Sequence, residues 1–262
     1  MTHAFVGIDV AFAKRKVLPV CVCRREGARV MPLPLATLAT LRPPAGRGNA
    51  ATLDSEGLKS FANQVADHLR RVESHFSVTI RRIGIDAPSD PRSDVVPRRD
   101  AELALDARRI SCFTTPSRAD FARIRAKASA HLAAGGAESR LPHANQLWML
   151  VGFALFERLR REWECLEVFP QATACVLGAN AVHKSRPGGV RAQLAAIARC
   201  TGWPDPPIEA ALKGVVNRPA HDALDAYMSA WVAALEPHER VAFGRPPNDV
   251  IWVPSLEGRP SC

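Results

Sequence analysis

Two short segments of this chain are near copies of each other: Val6-Gly7-Ile8-Asp9-Val10 and Ile83-Gly84-Ile85-Asp86-Ala87. Each is an apolar run of β-formers with an aspartate at its end, so each predicts a buried strand that delivers a carboxylate to the edge of a sheet. An ionised carboxylate beside Ile and Val is costly unless something compensates it. If the two strands pair in parallel, both carboxylates emerge at the same end of the sheet. Like charges held that close need a cation or a shared proton. A hard divalent ion, Mg²⁺ or Mn²⁺, answers that need, because such ions take carboxylate oxygens.

The elements around these segments narrow the architecture. Strands are expected at Ala4–Val10, Val17–Cys23, Ala28–Leu35, Val78–Ala87 and Leu166–Phe169, with a hairpin turn at 24–27 and Pro170 closing the last strand. A helix is expected over Glu56–His75, capped by Asp54 and Ser55, with Leu58, Phe61, Val65, Leu69 and Val72 on one face. Further helices are expected from Ser117 to Ala134, over His143–Arg161, Val190–Arg199 and Ile208–Lys213, and finally over Ala220–Leu235. The stretch 96–107 has no clear helical pattern, 40–53 reads as a loop, and the Pro-rich tail from Pro237 reads as irregular. Three strands joined by tight turns, followed by βα alternation, imply an α/β fold: a mixed sheet with helices on both faces. The segment 97–160 reads as a helical insertion in one domain spanning 1–262, and 237–262 as its tail.

A third acidic position falls on the last helix, in His221-Asp222-Ala223-Leu224-Asp225-Ala226. Asp222 and Asp225 stand three apart and share a helix face, while His221 and Asp225 stand four apart and can also meet. Small residues around them let this helix approach the strand ends that carry Asp9 and Asp86. Glu167, on the fifth strand, is a fourth candidate acid. Lys14, His183, Lys184 and His221 are candidate contacts for a substrate phosphate, set against the plainer reading of solvated loop cations and a packed histidine.

Charge adds a partner class. The chain carries 35 Lys+Arg against 26 Asp+Glu, a formal net charge of +9. The excess is uneven: residues 1–200 carry a net +12 and residues 201–262 a net −3. Arginines come in pairs (70–71, 81–82, 98–99, 108–109 and 160–161), and those at 98–127 are expected to flank the site and neutralise backbone phosphates. The same Arg bias would also follow from a GC-rich genome. Only 6% of residues are aromatic, so stacking on single strands is not advertised. The first residues lack a basic segment and Asp9 interrupts their apolar run, so no signal peptide or membrane span is expected. Seven scattered cysteines without a Cys-x-x-Cys pair read as reduced thiols of a cytoplasmic protein.

These residues resemble the ribonuclease H-like superfamily, whose mixed five-stranded sheet opens with a three-strand antiparallel meander and continues with parallel strands. Its metal-binding carboxylates sit on the first strand, the fourth strand and a final helix. The last helix is similar to that of Holliday-junction resolvases, in which His-x-x-x-Asp-Ala recurs. More narrowly, the chain resembles the DUF429 family of predicted ribonuclease H-like nucleases. The matching stretches are Gly7-Ile8-Asp9-x-Ala11, Ile83-Gly84-Ile85-Asp86-Ala87-Pro88, Glu167-Val168-Phe169-Pro170-Gln171-Ala172, His183-Lys184 with Gly188, and His221-Asp222-Ala223-Leu224-Asp225-Ala226. The resemblance implies a two-metal phosphodiesterase acting on DNA or RNA. In it Asp9 is the bridging ligand, Asp86 the second, Asp225 the third, Asp222 an alternate or additional ligand, and Glu167 a further catalytic acid. It also implies a homodimer, as resolvase-like folds form. Two other readings stand beside it. Actin-like phosphotransferases also begin on a Gly-Ile-Asp strand, and a nucleic-acid-binding module on the same fold would keep the site without turnover.

Overall fold

The computed structural model describes residues 2–216 and 219–255. Its centre is a five-stranded sheet built from β1 (Thr2–Asp9), β2 (Val20–Glu26), β3 (Arg29–Pro32), β4 (Val78–Asp86) and β5 (Glu164–Glu167), in the order β3-β2-β1-β4-β5. β1, β2 and β3 form an antiparallel meander, whereas β4 and β5 run parallel to β1. This is the ribonuclease H-like arrangement expected from the sequence.

Alternation along β1 and β4 sorts side chains to two layers. Val6, Ile8, Ile83 and Ile85 face one core, which α1 (Ser55–Phe76) and α5 (Met149–Leu159) complete with Phe61, Val65, Leu69, Val151 and Phe156. Phe5, Cys21 and Cys23 face the other, closed by α7 (Gly189–Thr201) and α8 (Ala220–Ala234). α1 begins where the sequence predicts: the Asp54 carboxylate accepts the Gly57 backbone N–H at 2.9 Å.

The parallel β4–β5 pair requires a crossover, and α5 supplies it while packing in the main core. The expected insertion therefore ends before α5. Its part outside the main core is α2 (Asp100–Asp106), α3 (Arg118–Ala133) and the single turn α4 (Ala144–Leu147); α3 and α4 share a small core of Phe121, Ile124 and Leu147. The single helix expected over 143–161 starts after His143, whose backbone is left-handed (φ 57°), and is divided at Trp148.

Two elements depart further from expectation. Pro170 does not merely close β5; it starts α6 (Pro170–Val176), where its missing N–H is tolerated in the first turn. The tail is not irregular: β6 (Arg240–Arg245) and β7 (Asp249–Pro254) form a hairpin whose Phe243, Ile251 and Val253 pack on Ala101 and Leu105 of α2. Residues 256–262 lie outside the described residues. Cys21, Cys23, Cys112, Cys165 and Cys175 are free thiols, as expected. Among the described residues no helix is long and apolar enough to cross a membrane.

Candidate metal centre

The duplicated Gly-Ile-Asp segments pair residue for residue, with Gly7 opposite Gly84 and Asp9 opposite Asp86. Gly and Asp, two apart, point to the same face of the sheet, the one that α8 covers. The glycines make room for that helix. A Cβ on Gly7 would lie 1.9 Å from the Ala226 carbonyl oxygen and 2.3 Å from the Ala230 nitrogen, and one on Gly84 would lie 2.3 Å from the Ser229 carbonyl oxygen. The helix backbone thus rests directly on the strands. Asp225, one turn before Ser229, is carried to the strand ends beside the two aspartates.

Asp9, Asp86 and Asp225 each offer a carboxylate oxygen, and the three oxygens lie within 4.8 Å of one another. Asp225 is buried and the other two are partly buried. Lys184 donates from Nζ to Asp225 Oδ2. Asp225 Oδ1 is buried and has no hydrogen-bond partner.

The electrostatics follow from this crowding. Burial, then Asp225, Asp86 and Asp222, hold the Asp9 carboxyl well above the usual carboxylate range, with Lys184 pulling the other way. Burial and Asp225 push Asp86 up to about 7, against Lys184. Burial also raises Asp225, though Lys184 draws it back. Burial works against the Lys184 ammonium, but Asp225 and Asp86 outweigh it and its pKa lies above the ordinary lysine value. One ammonium cannot balance three carboxylates at this separation. Hard oxygen donors, an orphaned buried oxygen and an uncompensated negative charge together fit a divalent cation of the Mg²⁺ or Mn²⁺ type.

The family model described as "Protein of unknown function (DUF429)" matches residues 7–248, from the first Gly-Ile-Asp to the final hairpin. The chain belongs to the DUF429 family. No curated protein and no solved structure matches it.

Other sequence-predicted site residues of this DUF429 chain stand outside the three-carboxylate group. Asp222 is largely buried (side chain 13% exposed), its Oδ1 lies 3.0 Å from His221 Nε2, and its charge raises Asp9 and Asp225. His183 is exposed, with Nδ1 2.7 Å from Ser185 Oγ, and Lys14 is exposed and pairs with Glu138 at 3.7 Å. Glu167 is the last residue of β5, and it is buried. Both its oxygens accept from Arg99, at 2.8 Å each, and Oε2 also accepts the Ser89 N–H at 2.8 Å. Burial raises its pKa, and Arg99 counters that.

Arg99 is the residue that sequence reasoning misread. It was expected among the phosphate-facing arginines, yet it is buried and also reaches Asp249 of β7 at 3.0 Å. Its neighbours are engaged too: Arg98 with Asp106 and Glu102, Arg92 and Arg123 with Asp120, Arg125 with Ser55. Much of the basic excess at 92–125 therefore holds the insertion together. The signal that could have revealed this was the matching density of acids in the same stretch (Asp100, Glu102, Asp106 and Asp120).

Proposed function

We propose that this chain is a divalent-metal-dependent nuclease that hydrolyses phosphodiester bonds of DNA or RNA. The observation that carries the reading is the convergence of Asp9, Asp86 and Asp225 at one sheet end, with Asp225 Oδ1 buried and unpartnered. These three side chains would hold Mg²⁺ or Mn²⁺, which when bound polarises a phosphoryl oxygen and lowers the pKa of a coordinated water.

The chain's own residues do the rest. The β1–β4 register and the close seat of α8 fix the carboxylates on rigid elements, so little reorganisation accompanies binding. Lys184 sits at the edge of the cluster and is positioned to exchange Asp225 for a substrate phosphate oxygen once the carboxylates are otherwise neutralised. Half-exposed His221, 3.0 Å from the largely buried Asp222, stands beside it, able to carry a proton toward the site. Glu167 stays with Arg99 and acts on the centre through its charge, which raises Asp86.

Actin-like phosphotransfer fits less well, because it needs two such sheets. The described residues form one five-stranded sheet and one two-stranded hairpin. Cleavage assays with Mg²⁺ or Mn²⁺ on single-stranded, duplex, branched and RNA–DNA hybrid substrates test the proposal. At least one substrate should be cut, and Asp86→Asn and Asp225→Asn should each lower the rate by on the order of 100-fold or more. Background activity on every substrate would favour a binding module instead.

A further inference from the structure

Next to the carboxylates lies a cleft of about 330 Å³ whose lining includes Asp86 and Lys184, so it opens onto the metal centre. Its other walls are largely apolar and aromatic: Trp148 and Met149 where α4 meets α5, Phe169 after β5, and Phe113 on the segment between α2 and α3. Phe113 is 60% exposed, an aromatic ring left open at this cleft. The volume is at the low end of ligand clefts, which run from about 300 to 1,000 Å³. It admits one planar ring system and not a duplex.

Behind the carboxylate cluster, the arginine and glutamates under the cleft are already engaged. Arg99 is held by Glu167 and Asp249, and Glu102 accepts the Thr115 N–H at 2.6 Å. An anion entering here would find no free guanidinium, so the cleft suits a neutral ligand. Gln171 is the polar exception. Its Oε1 is buried without a hydrogen-bond partner, and its amide nitrogen makes only a 3.8 Å contact with Cys175 Sγ. A carboxamide with both ends under-used is suited to reading the donor and acceptor edge of a heterocycle.

We propose that this cleft is a nucleobase subsite: one unpaired base enters beside the carboxylates, stacks on the aromatic walls and meets the Gln171 amide with its edge. The placement of the base next to a scissile phosphate rests on the nuclease reading above; the base-binding chemistry of the cleft does not. A base can occupy the cleft only when unstacked from its neighbours, so single strands and distorted junctions are preferred over intact duplex.

Tryptophan fluorescence titrations of the full chain in EDTA test this, with adenosine and cytidine 5′-monophosphates, ribose 5-phosphate and a short single-stranded oligonucleotide as probes. At least one nucleotide should bind about 10-fold or more tightly than ribose 5-phosphate. Phe113→Ala, at an exposed position, should remove that preference without changing Tm, and Gln171→Leu should narrow the difference between the two nucleotides. Tighter binding of the oligonucleotide assigns the base to a nucleic-acid strand, and equal binding assigns it to a free nucleotide; either supports a base subsite. Nucleotides that bind no better than ribose 5-phosphate, or a full preference surviving in Phe113→Ala, would overturn it. Because EDTA removes divalent ions, this outcome is independent of whether metal-dependent cleavage is found.

Discussion

Asp225 shows how one side chain can be both stabilised and left incomplete: Oδ2 is held by Lys184 while Oδ1 is buried with no partner. That asymmetry separates Asp225 from an ordinary buried ion pair, in which both partners are satisfied, as Glu167 and Arg99 are, and the proposed cation site rests on it. A second buried polar residue has a different consequence. His68 on α1 is fully buried and neither ring nitrogen has a partner. Burial, with Arg71 nearby, lowers its pKa to about 4 from 6.5. Between those values the unfolded chain binds a proton that the folded chain does not. Stability present above pH 6.5 therefore drains as the pH falls toward 4. Replacing the imidazole should remove that loss: by chemical denaturation, His68→Leu should fall less than wild type between pH 8 and pH 5, by about 2 kcal/mol. At this scale Asp9, Asp86 and Asp225 were legible in the sequence, because an aspartate ending an apolar strand is conspicuous. Asp222 was not separable from Asp225, since spacing places both on one helix face and only the seat of the helix decides which one faces the sheet.

At the scale of elements, the site depends on how closely α8 lies on β1 and β4. Gly7→Ala puts a methyl group 1.9 Å from the Ala226 carbonyl oxygen, and the obstruction is backbone, which cannot rotate away. The expected result is a loss of about 3 kcal/mol in denaturant unfolding, together with loss of any metal response, because lifting α8 withdraws Asp225. Most strands and helix faces were readable from apolar runs and the 3.6-residue period, while the meander and its parallel extension came with the family resemblance. The misread elements had local causes. The β6–β7 hairpin carries the β-formers Val241, Phe243, Val250, Ile251 and Trp252, but its turn contains Pro246-Pro247, and the proline content of the tail masked them. Pro170 reads equally as a strand stop and a helix start, and α6 shows that it does both.

Across the whole molecule, Arg99 joins parts distant in sequence: Glu167 at the end of β5, Asp249 on β7, and α2, whose first turn its own backbone opens. The insertion and the final hairpin are thereby tied to the strand end beside the carboxylates. Arg99→Met leaves Glu167 buried and unpaired, and should lower stability by about 3–5 kcal/mol. Hydrogen exchange should show β6 and β7 losing protection before the central sheet does. This long-range role could not be read from sequence, where Arg98-Arg99 is one basic pair among several and nothing marks it as buried. The central claim is that Asp9, Asp86 and Asp225 form a divalent-cation site, and calorimetric titration of Mn²⁺ into wild type and Asp225→Asn tests it most directly. Wild type should bind Mn²⁺ saturably, and the variant should lose about 100-fold or more in affinity while remaining folded. A wild type that takes up no Mn²⁺, or a variant that titrates identically to it, would contradict the claim.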